Sequence, residues 1–250
     1  MTIEIVRCLQ DNYAYLVHDP ATSETTLIDA PEAAPILAAL DRLGWSLSRI
    51  YITHHHNDHI GAVPELVEKT GAKVYGAEAD APRLPPLDHA FAPGDTLPGG
   101  AEVLHAPGHT IGHVAFHYPD RAALFSADSL MTHGCGRLFE GTPDQMFDTI
   151  ERFNQLPDQT RILSGHDYAA ANLAFAAKYA PDPDALAARQ AELPVLAEKN
   201  LPTTGTTLES ERLLNPYLRC HLPEVAKAAG VPGGSARDVL AAIRRQKDNA

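Results

Sequence analysis

Between an apolar run, Arg49-Ile50-Tyr51-Ile52, and a helical segment beginning near Ile60 stands Thr53-His54-His55-His56-Asn57-Asp58-His59, and no other stretch restricts this chain so tightly. Its imidazoles and carboxylate cannot all face one way. Clustered polar groups must be solvated or satisfied, since a buried unpaired polar group costs about 1–3 kcal/mol and a buried charge more. Read as a tight turn from strand to helix, the run lets His54 and His56 converge on one point while Asp58 and His59 converge on a second nearby. That is a two-metal arrangement in miniature. Imidazole and carboxylate donors without thiolate suit zinc, iron or manganese. His55 is expected to point away in a structural role.

A dinuclear centre needs further donors, and later strand ends offer them: His109 in Ala106-Pro107-Gly108-His109-Thr110, Asp128 in Ser126-Ala127-Asp128-Ser129, and His166 in Ser164-Gly165-His166. Sites built on α/β scaffolds gather in the loops at strand ends. The composition predicts strands at 3–7, 13–18, 25–29, 49–53, 73–75, 102–105, 113–118, 122–126 and 161–163. Helices are predicted at 32–43 and 60–70, each stopped by a glycine, and at 142–155 behind a Thr-Pro-Asp start. From Tyr168 onward strand signals vanish and alanine-rich helical patterns take over, at 169–179, 184–200 with Pro194 expected to kink it, 223–229 and 235–247. Ser235 with Asp238 resembles a capping box. A domain boundary is therefore expected near 165–167, giving domains 1–166 and 167–250.

The bulk properties narrow the partners. In 250 residues the formal charge is -12, which argues against non-specific binding to nucleic acid or an anionic membrane, since both need a positive field. Residues 235–250 run against this trend, with Arg237, Arg244, Arg245 and Lys247 against Asp238 and Asp248, and could meet a small anion. Cys8, Cys135 and Cys220 are odd in number and widely spaced, so neither a disulfide framework nor a thiolate zinc site is indicated and a reducing cytoplasm fits. The N-terminus reads as no signal peptide, and no apolar run approaches the roughly 20 residues of a membrane span.

The run His54 to His59, followed by His109, Asp128 and His166, resembles the metallo-β-lactamase superfamily, whose HxHxDH motif, later histidine, bridging aspartate and final histidine form its site. Within it, Cys135-Gly136-Arg137-Leu138-Phe139-Glu140-Gly141-Thr142, Gly165-His166-Asp167-Tyr168 with Asn172, and Arg244-Arg245-Gln246-Lys247-Asp248 resemble glyoxalase II, the hydroxyacylglutathione hydrolases. The resemblance implies an α+β fold: a metallo-β-lactamase-type αββα sandwich followed by a small all-helical C-terminal domain. It implies two divalent metal ions, zinc in the first place, with iron or manganese as alternatives. His54, His56 and His109 would bind one ion, Asp58, His59 and His166 the other, and Asp128 would bridge them. Arg137, Phe139, Tyr168, Arg244 and Lys247 match the substrate-binding positions, with Phe139 where some members carry tyrosine. The implied activity is hydrolysis of a glutathione thioester, S-D-lactoylglutathione to D-lactate and glutathione, by a metal-bridging hydroxide, with Asp58 and Asp128 as the catalytic carboxylates, in a cytoplasmic monomer.

Single features weigh less. Arg244 and Lys247, three apart on one helical face, are on their own more often a solvated face than a ligand clamp. His113, four residues after His109, is either an orienting or a structural residue. His18, His89, His105, His117, His133 and His221 carry no assigned role, and Cys135 has no triad partner beside it. The rival readings are a persulfide dioxygenase with one iron, a lactonase, a β-lactamase and a metal-binding module without catalysis. The first is disfavoured by the helical C-terminal domain, the second by the basic terminal helix, and the third by aspartate rather than cysteine at 128.

Overall fold

The first apolar segments pair with their neighbours in sequence, as short connections dictate. Strand β1 (Thr2–Cys8) runs antiparallel to β2 (Asn12–Asp19), and β2 to β3 (Glu24–Ile28). After helix α1 (Ala33–Leu43), strand β4 (Leu47–Tyr51) lies parallel to β3. Helices α2 (Asn57–Ile60) and α3 (Val63–Thr70) then return the chain to β5 (Lys73–Ala77), parallel to β4, and β6 (His89–Phe91) extends the sheet, again in parallel. The helix expected at 60–70 is thus divided, with Asn57–Ile60 forming its own turn. Gly44 and Gly71 end α1 and α3 at φ 68 and 72, the left-handed conformation that residues with a Cβ resist. Strands β7 (Thr96–Leu97), β8 (Ala101–His105) and β9 (Val114–Tyr118) pair antiparallel in that order.

This computed structural model describes every residue except Ala180. The chain divides into two compact units, Met1–His105 with Gly112–Arg121, and Ala106–Ile111 with Ala122–Ala250. In the first, Leu16, Leu27, Ile36, Leu40, Ile50, Ile52, Val63, Leu66 and Val74 form a buried cluster between the sheet and its helices. Burying one such side chain contributes about 1.5–3 kcal/mol, which fixes the strand ends that follow. Because β3 and β4 are parallel neighbours, they leave the sheet at the same edge, where the Asp29 amide donates to the Tyr51 carbonyl at 3.0 Å.

In the second unit β10 (Ala123–Ala127) is followed by a small hairpin, β11 (Leu130–Met131) with β12 (Gly134–Cys135), and by α4 (Pro143–Asn154). Thr142 and Gln145 close a full capping box at the start of α4. The chain then returns as β13 (Arg161–Ser164), parallel to β10. Helices α5 (Ala169–Ala176), α6 (Pro183–Glu198), α7 (Leu208–Leu214), α8 (Pro223–Ala228) and α9 (Ala236–Asp248) follow, with Pro194 inside α6 and the Ser235–Asp238 capping box in place on α9. Residues 203–207 run beside β13, where the Ile162 amide donates to the Thr206 carbonyl at 2.8 Å. Among the described residues no helix is long and apolar enough to cross a membrane. All three cysteines are buried and unpaired, and burial raises their thiol pKa values, that of Cys8 to about 12.

Candidate metal centre

Asp29, at the exit of β3, organises the histidine run. Its carboxylate accepts from the Thr53 amide at 2.9 Å, from the Thr53 hydroxyl at 2.7 Å and from His59 Nδ1 at 2.8 Å. It does so from a left-handed backbone, φ 58, which aspartate tolerates better than most residues. Thr53 Oγ1 also lies 3.0 Å from His54 Nδ1. His54 and His59 therefore have Nδ1 engaged by the protein and present Nε2, the orientation that metal-binding histidines take from a partner behind them.

Two donor pairs result within the first unit. His54 Nε2 lies 3.1 Å from His56 Nδ1. Two nitrogens on one tetrahedral zinc, each at about 2.0–2.1 Å, stand about 3.3 Å apart, so the spacing fits one ion. Asp58 Oδ2 lies 3.6 Å from His59 Nε2, and Asn12 Nδ2 donates to both Oδ2 and the main-chain oxygen of Asp58 at 3.1 Å. His54, His59 and Asp29 form one tight group of potential ligands. His55 turns away, its Nδ1 3.3 Å from Asp80 Oδ2, while Arg83 Nε donates to the other oxygen of Asp80 at 2.7 Å. His113 is fully buried and stacks on His54 with ring centres 4.8 Å apart.

The second unit carries a complementary set. Parallel strands β10 and β13 end together, the Gly165 amide donating to the Ala127 carbonyl at 3.0 Å, and this sets Asp128 beside His166. Asp128 Oδ2 lies 3.3 Å from His166 Nε2 and 3.4 Å from His109 Nε2, one carboxylate oxygen with a histidine on either side. His109 Nδ1 donates to the Arg137 carbonyl at 2.7 Å, so it too presents Nε2. Gly136 passes so close that a Cβ there would stand 1.8 Å from the Asp128 carbonyl and 3.2 Å from His109 Nδ1. No side chain fits that approach. These candidate ligands are the residues the sequence singled out; Asp29, Thr53 and Asn12, which hold them, were not, and only Asp29 left a trace in the sequence, as an acid directly after a strand.

The expected substrate positions divide by exposure. Phe139 is 61% exposed and meets the edge of His109 with ring centres 5.3 Å apart, and Arg137 spreads over the Phe139 ring. Tyr168 stacks flat on His166 at 4.8 Å. Lys247 lies 5.0 Å over the Phe175 ring, as does Lys178, and burial with the charges of Arg244 and Lys178 lowers the Lys247 pKa. Arg244, by contrast, is buried and bonded to the main chain of Cys135.

These donors fit a site for divalent metal, with nitrogen and oxygen ligands, no thiolate and histidines aimed from behind. The Metallo-beta-lactamase superfamily profile matches residues 9–166, and the chain is a member of that superfamily. Residues 167–250 match the Hydroxyacylglutathione hydrolase C-terminus. A curated relative from Jannaschia sp. (strain CCS1), named hydroxyacylglutathione hydrolase, is 52% identical over 98% of this chain and 96% of its own length. The chain belongs to the hydroxyacylglutathione hydrolase family. Its α+β fold is shared with the solved structure of ETHE1 from Myxococcus xanthus, at TM-score 0.69 and 25% identity over 99% of this chain and 92% of that one. TTHA1623, solved in a di-iron-bound form, aligns at TM-score 0.59 and 33% identity over 66% of this chain and 92% of its own.

Proposed function

We propose that this protein hydrolyses glutathione thioesters, converting S-D-lactoylglutathione and water to D-lactate and glutathione at a dinuclear metal centre. His54, His56 and His109 would hold one ion and Asp58, His59 and His166 the other, with Asp128 as the shared ligand. The observation that carries the reading is Asp128 Oδ2 with His109 and His166 at nearly equal distance on either side. Family membership and the two-iron state of TTHA1623 support the count of two. Zinc is the proposed metal, and the same donors accept iron or manganese.

Metal ions in such a site lower the pKa of water towards neutrality and polarise the scissile carbonyl. The chain's residues do the rest. Asn12 holds Asp58 by side chain and main chain, so that its carboxylate orients the attacking water. The departing thiol has a parent pKa of about 8.5, so no strong general acid is required at the sulfur. Arg137, Phe139, Tyr168, Arg244 and Lys247 form the substrate-binding surface on residues 137–247, with the cations meeting the carboxylates of the glutathione portion. In this reading 1–166 is the catalytic domain and 167–250 the helical substrate-binding domain. The three buried free thiols support a reducing, cytoplasmic setting.

The test is hydrolysis of S-D-lactoylglutathione beside a lactone and a β-lactam, with metal content measured on the same sample. We expect turnover of the thioester, close to two equivalents of transition metal per chain and loss of activity on chelation. A single iron per chain with uptake of oxygen would replace this reading with the dioxygenase.

A further inference from the structure

Asp80 lies in the short helical turn Glu78–Arg83 that follows β5, and its carboxylate is buried, with 1% of the side chain exposed. Three groups meet it. Arg83 brings Nε to 2.7 Å and Nη2 to 2.5 Å of Oδ1, while His55 Nδ1 lies 3.3 Å from Oδ2. Arg83 Nη1 also reaches His55 Nε2 at 3.5 Å. Arginine can only donate, so that Nε2 accepts and the imidazole carries its hydrogen on Nδ1, aimed at Asp80. The third group is main chain: Gly112 passes so close that a Cβ there would stand 2.5 Å from Asp80 Cγ.

Two of these groups border proposed ligands. His55 separates His54 from His56 along the chain, and its ring meets that of His56 edge on, with centres 5.1 Å apart. Directly after Gly112, His113 is buried and stacks on His54 at 4.8 Å, and the Val114 amide donates to the Thr53 carbonyl at 3.0 Å. One carboxylate therefore grips both the histidine run and the segment lying along it. The pairing with Arg83 does not by itself explain this placement. An acid and an arginine three residues apart can pair at the surface, where little desolvation is needed, and a buried pair adds little to stability beyond what its burial costs. Asp29 orients His59 and, through Thr53, His54; Asp80 takes the run at His55.

We propose that Asp80 is a positioning residue for the metal centre: by holding His55 and the Gly112 main chain on one carboxylate, it fixes the backbone that aims His54 and His56 at their ion. The inference rests on the reading of His54 and His56 as ligands.

The test uses the full chain stripped of metal, with zinc as the probe. Zinc affinity is measured by competition with a chromophoric chelator, beside melting of the apoprotein and kcat and KM of the zinc-loaded protein. Asp80→Asn keeps the shape of the side chain and removes its charge. It is expected to weaken zinc affinity by about tenfold or more and to lower kcat, with KM within about threefold. His55→Ala should show a loss of the same kind, and the double variant should lose less than the product of the two, because both act along one path. Arg83→Ala should weaken affinity by about fivefold and Arg83→Lys recover most of it. A lower melting temperature in Asp80→Asn with zinc affinity within about twofold of wild type would reduce Asp80 to a prop of the fold and overturn the proposal, as would losses that multiply in full. If Asp80→Asn does not fold, Arg83→Ala decides by the same threshold. His54→Ala tests the underlying reading separately: unchanged zinc affinity there would show that His54 is no ligand, and the proposal would fall with it. A wild type that binds zinc without turning over the thioester removes the hydrolase reading alone, and the affinity comparison still decides the role of Asp80.

Discussion

Asp29 illustrates how a residue outside the ligand set can govern it. One carboxylate meets Thr53 twice and His59 Nδ1 once, and Thr53 in turn meets His54. Replacing it with alanine would combine lost acceptors with strain at φ 58, so asparagine, which tolerates that backbone, is the sharper substitution. Asp29→Asn is expected to weaken metal binding by about 10- to 100-fold, the usual effect of removing a partner behind a ligating histidine. Chelator competition measures it, and wild-type affinity in the variant would remove Asp29 from the centre. The candidate ligands stood out in the sequence because HxHxDH is dense and ordered. Asp29 was not, because a lone acid after a strand reads as a turn residue until the parallel pairing of β3 with β4 brings it under the histidine run.

Among the elements, the longer helices and the strands of four residues or more were readable, and the strands of two or three residues were not. Helices α1, α4 and α9 carry the apolar spacing and capping residues that the sequence announces. The β11–β12 hairpin has strands of two residues each, too brief for any period, and α7 is a seven-residue helix hidden by its polar start. The hairpin nonetheless borders the centre, because its exit brings Gly136 against Asp128. Adding one methyl there requires the chain at 135–137 to move, since the Cβ would overlap the Asp128 carbonyl. Gly136→Ala is expected to cost roughly 1–3 kcal/mol of stability and about 100-fold in kcat, from overpacking and displacement of reacting groups. Thermal melting and single-substrate kinetics read the two effects, and a variant with wild-type kcat would show that the approach is dispensable.

For the whole molecule, composition and charge said little about shape, and the family resemblance supplied the fold. The division into two compact units groups β10 and β13 with the helices that follow. The three buried thiols give this organisation a practical use. Alkylation needs both access and a thiolate, and burial denies both to Cys8, Cys135 and Cys220. Each thiol is therefore a clock that runs only while its surroundings are open. In the native protein all three should react at least about 1,000-fold more slowly than in urea, given the usual 5–15 kcal/mol of stability. Mass spectrometry of the alkylated chain checks this, and modification within minutes without denaturant would contradict it. Cys8 lies in one unit and Cys135 and Cys220 in the other, so the rates at which the labels arrive report separately how often each half of the catalyst comes undone.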